Sequence, residues 1–197
     1  MANTLGKNIW INIPHLATND YITNLAQLFL NTLEPHLTVY VEYSNEVWGT
    51  QFPGGQYAQA QGILSNYSTD PTQARFCFLG QRTNDISTIW KNVFGTSSRL
   101  QIVVNTQAVN ADTTNRILSC RGTQAYVNAV AIAPYISISL NDSMSFTNIF
   151  TGLNSQITTL ATTIQTHLVY TNKYGLSLYC YESGQGLTGG DSAKTAL

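Results

Sequence analysis

Five short apolar runs, each set apart by a longer stretch of different period, restrict this 197-residue chain more than any other feature. The runs occupy residues 9–13, 37–44, 99–105, 129–133 and 176–181. Their β-branched and aromatic content, Val39, Tyr40, Val41 and Tyr43 among it, suits strands. Helical spacing fills most of the intervals. One helix opens at Thr18 or Asn19, carries Tyr21, Leu25, Leu28 and Phe29 on one face and is stopped by Pro35. A long one over residues 72–93 closes at Gly95, and a short one covers 112–119 before Gly122. A Thr-rich helix over 146–170 ends near Lys173 and Gly175. Residues 48–70, with Pro53-Gly54-Gly55, read as irregular, and Gly184, Gly186, Gly189 and Gly190 read as a loop.

Crossovers of this length join parallel strands buried on both faces. Two architectures fit, an open doubly wound sheet or part of a (β/α)8 barrel. The doubly wound reading asks for a glycine-rich phosphate loop after a strand, and the chain has neither GxGxxG nor a P-loop lysine motif. The glycines near residue 186 sit beside Glu182, which would repel phosphate. The barrel reading survives: residues 1–197 form a single incomplete α/β domain, a partial (β/α)8 TIM barrel with five parallel strands and crossover helices.

Composition narrows the partners. Nine basic residues against ten acidic ones leave a net charge of −1, which argues against nucleic acid. No apolar run approaches the ~20 residues needed to span a bilayer, so no membrane partner is expected. Charged residues make up only 10%, and Thr, Ser, Asn and Gln carry the polarity, a surface suited to an uncharged, hydroxyl-rich ligand. Cys77, Cys120 and Cys180 are widely spaced and read as buried free thiols, with one disulfide as the alternative. With His15, His36 and His167 scattered as well, neither a metal site nor a cofactor is expected. Met1-Ala2-Asn3-Thr4 lacks the basic and apolar regions of a signal peptide, and two triplets, Asn66-Tyr67-Ser68 and Asn141-Asp142-Ser143, match the glycosylation pattern. The compartment stays open, a secreted parent protein being compatible with both.

Of four glutamates, Glu34, Glu42, Glu46 and Glu182, two fall directly after predicted strands. Glu46 lies in Tyr43-Ser44-Asn45-Glu46-Val47-Trp48 and Glu182 in Tyr179-Cys180-Tyr181-Glu182-Ser183-Gly184. Parallel strands bring both to one rim, the rim on which barrel enzymes carry their chemistry. Glu42 shares the strand parity of Glu46 and is expected to face the barrel interior, where it needs a partner.

An Asn-Glu pair ending one strand and a Glu ending the third strand after it resemble the clan of retaining (β/α)8 glycoside hydrolases, cellulase-like members included. In that clan the acid/base Glu follows an Asn after strand four, and the nucleophile Glu ends strand seven. The visible elements then correspond to strands three to seven. The resemblance implies Glu46 as acid/base and Glu182 as nucleophile. It also implies Asn45 on the sugar 2-hydroxyl, His15 facing the sugar, Tyr135 hydrogen-bonded to the nucleophile, and Trp48 stacked on a sugar ring. Val47 stands where many members have Pro. Retaining enzymes hold the two carboxyls about 5–5.5 Å apart. At that distance like charges repel by about 3 kcal/mol at an effective dielectric near 20, so the acid stays protonated while the nucleophile is ionised.

The expected function is a retaining hydrolase of a β-linked glycan by double displacement, or its catalytic segment. The partner would be an oligo- or polysaccharide. A non-catalytic carbohydrate-binding remnant and an inert fragment are the alternatives. Strands one, two and eight have no counterpart, so further segments or another chain are expected to complete the barrel.

Overall fold

In a computed structural model, residues 1–141 and 143–189 are described; Asp142 of the second glycosylation triplet and Gly190 of the glycine loop lie outside them. A one-turn helix α1 (Ala2–Leu5) leads into β1 (Ile9–Ile13). Then come α2 (Asn19–Thr32), β2 (Val39–Tyr43), α3 (Pro53–Leu64), α4 (Pro71–Phe94), β3 (Leu100–Asn105) and α5 (Asp112–Ser119). A 3-10 segment, Cys120–Ala125, precedes β4 (Ala129–Ile132) and β5 (Tyr135–Leu140). The chain continues through α6 (Phe146–Lys173), β6 (Ser177–Cys180) and β7 (Gly184–Gly189).

Five strands form one parallel sheet in the order β1-β2-β3-β4-β6. The fold is therefore α/β with a parallel sheet and crossover helices, and its strands follow the chain order read from the sequence. Helices cover one face. There Val39, Val41, Tyr43, Ile102, Val104 and Val130 bury against Ile22 and Ala26 of α2, Leu79, Ile86 and Trp90 of α4, and Ile117 of α5. The other face is smaller and more polar. Val103, Ala129 and Ala131 lie at its centre, with Trp10, Tyr40, Tyr179 and Tyr181 packed around them.

The sheet curls toward this second face. Laid flat, strands spaced about 4.8 Å apart would hold the edge strands β1 and β6 roughly 19 Å from each other. Yet the rings of Trp10 on β1 and Tyr179 on β6 meet with centroids 6.4 Å apart, and Tyr40 of β2 lies 5.7 Å from Tyr179. Strong concave curvature is the geometry that brings them together.

Four expectations need correction. Residues 53–64 are helical: Pro53 opens α3 at its first turn, where a missing N–H costs nothing. Its glycines serve close packing, since a Cβ on Gly55 would strike the Gly49 carbonyl and one on Gly62 the Ala74 carbonyl of α4. Second, the glycine-rich stretch 184–189 is β7, paired in parallel with β5 in a separate two-stranded sheet, from Tyr135↔Gly184 to Leu140↔Gly189. Third, Cys77 of α4 and Cys120 form a disulfide with Cα atoms 5.2 Å apart, and Cys180 is an exposed thiol. Finally, α2 keeps Leu25 and Phe29 of the predicted face against the core, but the face centres on the buried Ile22 and Ala26 and leaves Tyr21 and Leu28 about half exposed. Thr18 caps it, its hydroxyl accepting the Tyr21 N–H at 3.2 Å.

Candidate active site

The turn after β2 has unusual backbone. Ser44 (φ 55°) and Glu46 (φ 51°) both occupy the left-handed region, which costs a non-glycine residue on the order of 1–2 kcal/mol each. Such conformations persist only where surrounding contacts enforce them. Here Ser44 N–H donates to the Ile13 carbonyl (2.8 Å) and Asn12 Nδ2 to the Ser44 carbonyl (2.6 Å). Beyond the turn, the buried Arg75 of α4 donates from Nε to the Trp48 carbonyl at 3.0 Å, and from Nη1 to Gln59 Oε1 at 2.7 Å. The Glu46 side chain is thus aimed by a braced turn.

Across the curled sheet, the Tyr181 hydroxyl donates to Glu46 Oε1 at 3.1 Å. Burial above all, then the Glu46 and Glu42 carboxylates, push the Tyr181 phenol up, while the Trp48 indole N–H acts the other way. Tyr181 thus stays neutral and donates its hydroxyl proton toward Glu46. Glu182, the next residue, is exposed. Two residues later β7 begins at Gly184, whose partner is Tyr135, so the small second sheet ties the segment carrying Glu182 to Tyr135. Desolvation first, and then the Glu182 and Glu46 carboxylates, push the Tyr135 phenol up.

Beside Glu46 lies a pocket of about 290 Å³ lined by Glu46, Trp48, Gln107, Pro134, Tyr135 and Gln156, among others. Behind its Gln107–Val109 wall, the buried His167 of α6 bonds through Nε2 to the Ala108 carbonyl (2.9 Å) and through Nδ1 to Thr114 Oγ1 (2.8 Å). Desolvation pushes His167 down, so the neutral ring donates from Nε2 and accepts at Nδ1.

The structure brings Glu46, Trp48 and Tyr135 together around one pocket, whereas Glu182, on the same rim, is not among the residues lining it. Asn45 is exposed beside Glu46 in the same turn. His15 stands apart: its ring packs edge-on against Tyr57 of α3 at 5.7 Å, and it is not among the residues lining the pocket. Tyr181 escaped the sequence reading. Its only signal was its position between Tyr179 and Glu182, and nothing local says that β6 curls back over β2. Glu42 does face inward, and the partner it needed is Trp10, whose Nε1 donates to Oε2 at 2.7 Å.

Among the described residues no group of three His, Cys, Asp or Glu side chains is placed to hold a metal ion, and no helix is long and apolar enough to cross a membrane. Compared with family models, curated proteins and solved structures, the chain finds no match.

Proposed function

We propose that this chain carries the acid/base and nucleophile of a retaining glycoside hydrolase acting on a β-linked glycan, its sheet corresponding to strands three to seven of a (β/α)8 barrel. The observation that carries the reading is the placement of Glu46, on strained backbone after β2, and Glu182, after β6, at the same end of one parallel sheet, with Tyr135 lining the Glu46 pocket and paired to Gly184 two residues past Glu182. Strain held in place at a polar rim is typical of functional sites, and the curl of the sheet is the shape a barrel segment has. Glu46 acts as general acid toward the leaving oxygen while Glu182 attacks the anomeric carbon. Once the glycosyl ester forms, the charge on Glu182 is gone, and Glu46 serves as base toward water. Trp48 and Tyr135 line the wall against which a sugar ring would lie.

Burst kinetics with an aryl glycoside whose leaving group needs no proton test the roles. Glu46→Ala should release one equivalent of phenol and then stall, with the second step slowed about 10²–10⁴-fold. Glu182→Ala should give no burst. A reversed pattern exchanges the roles, and equal turnover in both variants removes the two residues from the mechanism. Glycan binding without any turnover in the unaltered chain would favour the carbohydrate-binding alternative instead.

A further inference from the structure

We infer that Glu42 is a neutral carboxylic acid in the folded protein below neutral pH, its Oε1–H directed to Asn105 Oδ1. The inference starts from two orphaned oxygens. Glu42 is 1% exposed and Asn105 0%. Glu42 Oε1 and Asn105 Oδ1 are both buried without a hydrogen-bond partner. The two side chains stand on neighbouring strands of the inner face, where Glu42 pairs with Val103, two residues before Asn105. One N–H of Asn105 Nδ2 is held by the Tyr43 carbonyl (3.3 Å), and the Trp10 N–H serves Glu42 Oε2.

An ionised Glu42 would bury a negative charge with no counter-ion, on a carboxyl whose Oε1 meets no donor at hydrogen-bond geometry. The two ion pairs among the described residues, Arg82–Asp85 and Arg116–Asp70, lie elsewhere. A single proton on Oε1 gives both orphaned oxygens a partner, which is the cheaper state. Desolvation pushes the Glu42 carboxyl up to about 7, the Trp10, Asn105 and Asn12 side chains oppose this, and the Glu182 charge adds to it. Of the other ionisable groups on this side, Tyr181 feels Glu42 in return, and the Tyr40 and Tyr179 phenols line the same face. Below neutral pH the rim carries the two carboxyls of Glu46 and Glu182 over an uncharged floor. Above it, a third anion appears beneath them.

Carbon-13 titration of the side-chain carboxyls tests this without any turnover, so it stands or falls apart from the glycosidase reading. Four glutamates give few signals. The one missing in Glu42→Gln belongs to Glu42. If that variant does not fold, Glu34→Gln, Glu46→Gln and Glu182→Gln, at positions outside the core, identify it by elimination. A Glu42 carboxyl that is neutral at about pH 5.5 and ionises near neutrality is the expected result. One already ionised at about pH 5.5 overturns the inference.

Discussion

The two faces of the five-stranded sheet are built from the same strands and obey different rules. Toward the helices, Val39, Val41 and Tyr43 of β2 sink into a continuous apolar layer with Leu79, Ile86 and Trp90. Toward the concave side, Tyr40 and Glu42 of the same strand meet Trp10, Asn105 and Tyr179. The first face gains about 1.5–3 kcal/mol for each large side chain it buries. The second keeps buried polar groups at a cost, and above it stand the carboxylates. The period-two alternation of a strand is what lets one segment line an apolar core on one side and a polar face on the other.

The sharpest way to break this comparison is truncation of its anchors. Trp90, fully buried against Phe29 and Phe94, should cost about 3–5 kcal/mol on replacement by Ala in a denaturant melt. Tyr179→Ala, on the half-buried concave side, should cost clearly less, and an equal or greater loss would mean that the inner face is a second core.

Glu42 gives the next largest effect, with a sign that depends on pH. Its carboxyl ionises near 4.5 when unfolded and near 7 in the fold, so between those values the folded chain holds the extra proton. Stability therefore falls as pH rises through that window, by about 3 kcal/mol in all. Glu42→Gln should raise the melting temperature above pH ~7 and lose that advantage near pH ~4.5. A gain independent of pH would assign the effect to packing.

Smaller effects sharpen the helix side. Thr18→Ala removes the cap of α2 and should cost about 1 kcal/mol, read by the same melt. Glu182→Gln should move stability by no more than about 0.5 kcal/mol, because the side chain is exposed, and on the proposed roles it should give no burst. A large destabilisation there would make Glu182 a structural residue of the β5–β7 junction.

Much of this was legible before any coordinates. Crossover length and near-continuous apolar runs determined five parallel strands in chain order, and parallel pairing then put Glu46 and Glu182 on one rim, because both follow strands that point the same way. Local chemistry sufficed also for the end of α4 at Gly95 and narrowed the α2 cap to Thr18 or Asn19, of which the structure has Thr18. What required the tertiary structure was every feature in which a residue answers to a distant neighbour. Pro53-Gly54-Gly55 opens a helix in spite of the poor helix propensity of glycine, and Gly55 is required there because the Gly49 carbonyl stands where a Cβ would be. The glycines of β7 pair with β5 across the whole length of α6, and Cys77 finds Cys120 across α5. Tyr181 reaches Glu46, and Trp10 reaches Glu42, only through the curl of the sheet and the register of its strands. Period and propensity act over a few residues and are written in the sequence, whereas curvature, close backbone approach and the neighbours of a buried carboxyl arise only when the whole sheet has closed around them.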